Sequence, residues 1–148
     1  MNNIDINPQF QEAFTRIETT DLNLFITGKA GTGKSTFLTY FREKTTKKTI
    51  VLAPTGVSAL NVKGETIHSF FWFDPKITIE SAISAAKKRK NNTIFKELDV
   101  IIVDEISMVR ADLLDCMDIY LKTSLKNELP FGGKQIVFIG DLYQLPPV

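Results

Sequence analysis

The sequence predicts an α/β domain: an open, doubly wound parallel sheet with helices on both faces. Three observations carry that expectation. Short β-branched apolar runs recur at 22–27, 49–53, 100–103 and 135–139. Stretches with helical spacing of apolar residues separate them. The first run stops at a glycine-rich turn and the second at Pro54, as strand ends do. Strands alternating with helices imply a parallel sheet covered on both sides, with ligands at the carboxyl ends of its strands.

Taken in order, residues 8–17 read as a helix, with Pro8 in its first turn and Phe10, Phe14 and Ile17 on one face. LNLFIT at 22–27 is the first strand. Residues 35–43 form the next helix, with Phe37, Leu38 and Phe41 inward, and TIVLA at 49–53 is the second strand. A short helix is expected over 57–62. Residues 66–73 are apolar and aromatic, and a helical stretch covers about 80–90. VIIV at 100–103 is the third strand, 111–125 an amphipathic helix, and QIVFI at 135–139 the fourth strand.

At 148 residues the chain is one domain, or a piece of a larger protein. Its 43% hydrophobic and 24% charged residues match soluble globular proteins, and a chain of this length buries enough surface to fold without staples. Eighteen Lys and Arg against 17 Asp and Glu leave a net charge of +1, so any footprint on a nucleic acid must be local. A single cysteine, Cys116, excludes an internal disulfide framework, and with one histidine it excludes a conventional zinc site. Cys116 itself reads as a small core residue. No apolar run approaches a membrane span, and the N-terminus lacks a signal-peptide pattern. A soluble, intracellular domain without membrane contact is expected.

Residues 28–35, Gly-Lys-Ala-Gly-Thr-Gly-Lys-Ser, fit the phosphate-loop pattern G-x-x-x-x-G-K-[ST], with an apolar strand before and a helix after. The glycines let successive backbone N–H groups turn toward an anion, and the following helix adds its positive end. Gly28, Ala30, Gly31, Thr32, Gly33, Lys34, Ser35 and Thr36 are therefore the expected nucleotide-binding residues. Lys34 reaches the β- and γ-phosphates, and Ser35 offers its hydroxyl to Mg²⁺. The bland alternative is an ordinary glycine turn. It is disfavoured by the apolar strand that ends in Asp104 and Glu105, which places Asp104 as a Mg²⁺ ligand and leaves Glu105 to polarise a water. Two solvated acids capping the next helix are the alternative for that pair. ATP and Mg²⁺ are thus the expected cofactors, and hydrolysis is preferred to transfer.

Three further segments carry a resemblance: APTGVSAL at 53–60 leading to GETIHSF at 64–70, DEISMV at 104–109, and GDLYQLPPV at 140–148. With the phosphate loop, they resemble the first RecA-like domain of superfamily 1 helicases of the 5′-to-3′ branch, and most of all the petite-integration-frequency (PIF) family of DNA helicases. The resemblance covers nearly the whole chain. It implies an ATP-driven motor that moves on single-stranded DNA and unwinds duplexes.

The resemblance implies further roles. Gln11 matches the glutamine that reads adenine, with Gln9 a weaker candidate. Gln144 matches the glutamine that senses the γ-phosphate and orients water, and Asp141 its companion; a turn-forming Gly-Asp is the bland alternative for the latter. Lys34, Glu105 and Gln144 form the implied catalytic set. Thr55, Gly56, Thr66 and His68 match segments that face single-stranded DNA, where hydroxyls and backbone N–H groups suit phosphate oxygens. His68 could instead be a core histidine. One ring of the Phe70–Phe73 run is expected to stack a base, and Phe70 stands for that run in the expected DNA set, together with Pro146. Lys87-Lys88-Arg89-Lys90 reads either as a solvated helix face or as a track for a DNA backbone.

The resemblance also implies a second RecA-like domain, with the arginines that contact the γ-phosphate, which these 148 residues are not expected to include. The chain is accordingly expected to bind nucleotide but to hydrolyse it and unwind DNA poorly by itself. A monomer is expected, partnered by single-stranded DNA and by that second domain, in a bacterial-type cytoplasm or a eukaryotic nucleus or mitochondrion. Two other readings stay open: a P-loop ATPase or partner-gated switch that does not act on DNA, and a module that binds ATP and single strands without hydrolysis.

Overall fold

The computed structural model describes residues 8–27, 33–89 and 92–140. Its elements run α1 (Pro8–Thr19), β1 (Leu24–Thr27), α2 (Lys34–Lys44), β2 (Thr49–Ala53), α3 (Gly56–Asn61), β3 (Glu65–Thr66), α4 (Ile67–Phe71), α5 (Ile79–Lys88), α6 (Thr93–Glu97), β4 (Val100–Val103), α7 (Ala111–Leu125) and β5 (Gln135–Gly140). Short 3₁₀ turns lie at Ile106–Met108 and Pro130–Gly133. The sheet order is β1-β5-β4-β2-β3, and every described pair is parallel. Among the described residues, no helix is long and apolar enough to cross a membrane.

The strands split their side chains by the period of two. Val51, Ala53, Val100, Ile102, Val137 and Ile139 join Ile17, Phe37, Leu38, Phe41, Ala59 and Val62 on the α1–α3 face. Leu52, Ile101, Val103 and Ile136 instead meet α4–α7, and that second core includes Cys116, 2% exposed. All four residues of β4 are buried, which is why VIIV carries no polar alternation. The expected two-faced parallel sheet is therefore present.

The aromatic run leaves one of its four rings open, and that ring is not Phe70. Residues 67–71 form helix α4. Phe70, Phe71 and Phe73 are 3%, 0% and 6% exposed, while Trp72 is 68% exposed. Phe71 stacks on Phe73 and Phe95, with ring centroids 5.2 Å and 5.7 Å apart, and Tyr120 meets all three edge-on. Burying large rings against each other outweighs presenting them to solvent. Phe70, packed on Phe71 and Phe95, has no free face for a base, and its expected DNA role is withdrawn.

Lys47 pins α1 to the sheet. Its Nζ donates to the Ile17 and Thr20 carbonyls at 2.7 Å and 2.6 Å and to Gln135 Oε1 at 2.9 Å. Gln135 Nε2 then donates to the Leu22 carbonyl at 2.8 Å. An ammonium suits the carbonyls at a helix C-terminus, and Gln135 is only 2% exposed. Lys47→Ala leaves these acceptors unpaired and is expected to cost about 2–4 kcal/mol, read from the denaturant midpoint. A midpoint equal to that of the parent would show that water replaces the ammonium.

Candidate nucleotide site and DNA-facing edge

Strands β1, β5 and β4 are adjacent and parallel, so their carboxyl ends share one edge, with Thr27 opposite Gly140 and Val103 opposite Phe138. β1 leads into the glycine loop, β4 into Asp104-Glu105, and β5 into the Asp141–Val148 segment. Gly28, Ala30, Gly31, Thr32, Asp141, Gln144 and Pro146 lie outside the described residues.

Gly33 precedes α2 with φ 89, a left-handed conformation in which a side chain is strained, and a Cβ there would come 3.3 Å from the Phe10 ring. Phe10 also packs on Phe37, with centroids 5.3 Å apart. These contacts dock α1 beside the exit of the loop. Gln11, next to Phe10, is exposed there, as is Gln9.

Lys34 opens α2, and its Nζ is buried without a hydrogen-bond partner among the described residues. A buried ammonium with nothing to bond is costly unless a ligand supplies the acceptor. Ser35 and Thr36 follow, both exposed in the first turn of the helix. Asp104 is 7% exposed at the end of β4. Burial pushes its carboxyl pKa above the ordinary value; a bond from the Glu105 backbone N–H opposes this, the Glu105 charge adds to it, and the Lys34 charge lowers it. Among the described residues, the edge thus holds a cation without an acceptor near a carboxylate short of solvent. That pairing fits a phosphate carrying a hydrated divalent metal: Mg²⁺ keeps several waters and asks the protein for only one or two oxygen ligands. Ser35 and Asp104 can supply them.

Glu105 is half-buried and left-handed, φ 54 and ψ 45, at the entry to the 106–108 turn. Non-glycine residues in this conformation are strained and cluster at functional sites. Gly140 lies against the same turn. A Cβ there would sit 2.6 Å from Ile106 Cγ2 and 3.1 Å from its backbone nitrogen, so the close approach requires glycine. Ser107 adds a second buried polar atom without a partner among the described residues, its Oγ. Sequence reasoning gave Ser107 no role, because only the structure shows its hydroxyl orphaned.

Since Asp104 has a raised folded-state pKa, its ionised form costs stability, and the cost grows as pH rises from the unfolded value of 3.8 through the folded one. Asp104→Asn is therefore expected to raise the melting temperature of the ligand-free chain at neutral pH, with the gain vanishing near pH 3.8. The same change should reduce Mg²⁺-dependent nucleotide binding. A lower ligand-free melting temperature would contradict this electrostatic account.

Thr55 and Thr66 precede α3 and α4 at the carboxyl ends of β2 and β3. Thr55 Oγ1 accepts from the Ser58 N–H at 3.2 Å within a capping box, and Thr66 Oγ1 accepts from the Ser69 N–H at 3.1 Å. Helix capping explains a threonine at each place. Gly56 faces open space. His68 is half-buried, not a core histidine, and lines an open cleft of about 430 Å³ with Lys76, Arg110 and Asp112. Arg110 is exposed at the start of α7, its Nε bonding Asp112 at 3.2 Å. Of the basic run, Lys87 and Lys88 are exposed, whereas Arg89 is half-buried and Lys90 lies outside the described residues.

The family model for PIF1-like helicases matches residues 6–148. The ATP-dependent DNA helicase PIF1 of Candida albicans is 44% identical over 133 residues, which are 86% of this chain and 15% of that protein. A crystal structure of a Pif1 helicase from Bacteroides superimposes with a TM-score of 0.86 at 38% identity, covering 100% of this chain and 35% of that one. A second crystal structure of Pif1 helicase from Bacteroides, in complex with ADP-AlF3 and ssDNA, gives 0.76 at 39% identity, covering 96% of this chain and 33% of that one. The chain thus spans about a third or less of these relatives. Its sheet is the RecA-like α/β sheet of the Pif1 structures, and the chain belongs to the PIF1-like helicase family.

Proposed function

We propose that this chain is the ATP-binding motor domain of a 5′-to-3′ DNA helicase, which couples ATP hydrolysis to movement along single-stranded DNA. The observation that carries the reading is the buried Lys34 Nζ, without a partner among the described residues, near the desolvated Asp104. Lys34 meets the β- and γ-phosphate oxygens. Ser35 and Asp104 hold Mg²⁺, which when bound neutralises phosphate charge. Glu105 accepts a proton from the attacking water, and Gln144 orients that water with Asp141 beside it. Gln11 bonds the adenine edge. Thr55, Gly56, Thr66 and His68 meet the sugar-phosphate strand along the edge formed by β2 and β3, and Pro146 is assigned to the same strand. Relatives crystallised with ADP-AlF3 and ssDNA support both halves of this assignment.

The partner expected to complete the site is a second RecA-like domain, whose arginines supply the positive charge that meets the γ-phosphate as its bond breaks. Such a residue contributes roughly 10³–10⁵ in turnover. The 148-residue chain alone is therefore expected to bind Mg·ATP and, weakly, single-stranded DNA, with turnover near background and no unwinding. The test is ATP turnover with and without single-stranded DNA, on this chain and after adding a separately expressed second domain. Stimulation only in the second case supports the proposal; DNA-stimulated turnover at motor rates by the chain alone would refute the division of labour.

A further inference from the structure

Helix α4 ends at Trp72, which adopts a left-handed conformation, φ 59 and ψ 40. A bulky residue there is an outlier that persists only where its surroundings fix it. Here the end of the helix fixes the backbone, with the Trp72 N–H donating to the Ser69 carbonyl at 3.4 Å and the Phe73 N–H to the His68 carbonyl at 2.8 Å, and a cation fixes the ring. The Arg89 guanidinium carbon lies 3.5 Å from the Trp72 ring centroid and 4.9 Å from that of Phe95, and its Nη1 donates to the Phe70 carbonyl at 3.1 Å. Arg89 thus holds one face of the indole while 68% of Trp72 remains exposed. Its three aromatic neighbours in sequence are all core residues, so Trp72 adds little to the core.

Around the ring lies an open hollow of about 390 Å³, lined also by Thr93, Ile94 and Glu97. Lys87 and Lys88 are exposed in the last turn of α5, just before Arg89. Glu97, the acid on this rim, pairs with Lys48 at 3.8 Å. A flat ring backed by a guanidinium on one side and open on the other matches a nucleobase, since stacking supplies affinity, and the exposed lysines that precede Arg89 suit the phosphates of a strand leaving the ring. The place differs from the nucleotide edge. Lys48 and α6 adjoin the starts of β2 and β4, whereas Asp104 ends β4, a strand of four residues or roughly 13 Å away.

We propose that Trp72, backed by Arg89 and with the exposed Lys87 and Lys88 of the last turn of α5 preceding that arginine, is an accessory stacking site for single-stranded DNA outside the motor edge. The inference rests on the reading of this chain as a DNA-binding motor domain, and adds a second contact to it. The site holds the strand without regard to base sequence, because every base has a stacking face.

Trp72 is the only tryptophan in the chain, so its emission reports this site alone. A labelled short oligothymidylate is titrated in while its anisotropy and the Trp72 emission are followed together. Saturable quenching should follow the anisotropy, persist in Thr66→Ala and His68→Ala, and move to higher DNA concentration in the Lys87→Glu, Lys88→Glu double variant. Trp72→Gly, which suits the left-handed conformation, should keep the parent's melting behaviour and weaken binding by about tenfold. Rising anisotropy with unchanged emission would overturn the accessory site and leave the motor reading intact. Quenching abolished by His68→Ala would also overturn it, assigning the signal to the motor edge. No change in either signal would overturn both.

Discussion

Lys34→Ala is expected to weaken Mg·ATP binding by roughly thirtyfold to several-thousandfold, the 2–5 kcal/mol typical of removing one partner from a buried charged pair. The fold should tolerate the change. In the ligand-free chain the Nζ bonds nothing among the described residues, so its removal deletes no hydrogen bond to them and takes a buried ammonium out of the protein. The lost attraction to Asp104 partly offsets that gain, which leaves the melting temperature nearly level. Calorimetric titration of a nonhydrolysable analogue separates the two quantities. Equal affinity in variant and parent would remove the phosphate loop from the site.

Glu105→Gln should leave that affinity within a factor of a few and lower turnover of the two-domain assembly by about 10²–10⁴, the usual contribution of a general base. Glutamine keeps the size and hydrogen bonding of the side chain but cannot take a proton. Because Glu105 adopts the left-handed conformation at a fixed turn, the replacement inherits its placement. Turnover close to that of the parent would mean that another group accepts the proton. Loss of nucleotide binding would mean that Glu105 acts on the metal or the fold.

Much of this arrangement was legible in the sequence because local signals coincided. Pro54 stops β2, Asp104 stops β4, and the apolar spacing of 111–125 has no competing period, so those elements lie where the residue pattern puts them. The phosphate loop and the acidic strand end were readable for the same reason: a motif, a strand and a helix agreed. What escaped notice was short or distant. β3 and α6 contain too few residues to show a period. Which ring of the aromatic run stays open is decided by packing of Phe71 against Phe95 and Tyr120, which lie far along the chain. Arg89 looked like one cation of a basic run, yet its position is set by Trp72, Phe95 and a carbonyl. Lys47 offered no signal at all, because backbone carbonyls of α1 are among its partners. Thr55 and Thr66 were singled out for DNA, and the structure adds a capping role that their spacing to Ser58 and Ser69 already allowed.

The central claim is that Lys34 and Asp104 form a prepared seat for Mg·ATP. A crystal structure of the chain grown with Mg²⁺ and a nonhydrolysable ATP analogue tests it most directly. The account predicts Lys34 Nζ within hydrogen-bond distance of a β- or γ-phosphate oxygen, with the metal held by the Ser35 hydroxyl and reached by Asp104 directly or through water. A nucleotide bound elsewhere on the chain, or Lys34 paired with Asp104 beside an empty glycine loop, would contradict it.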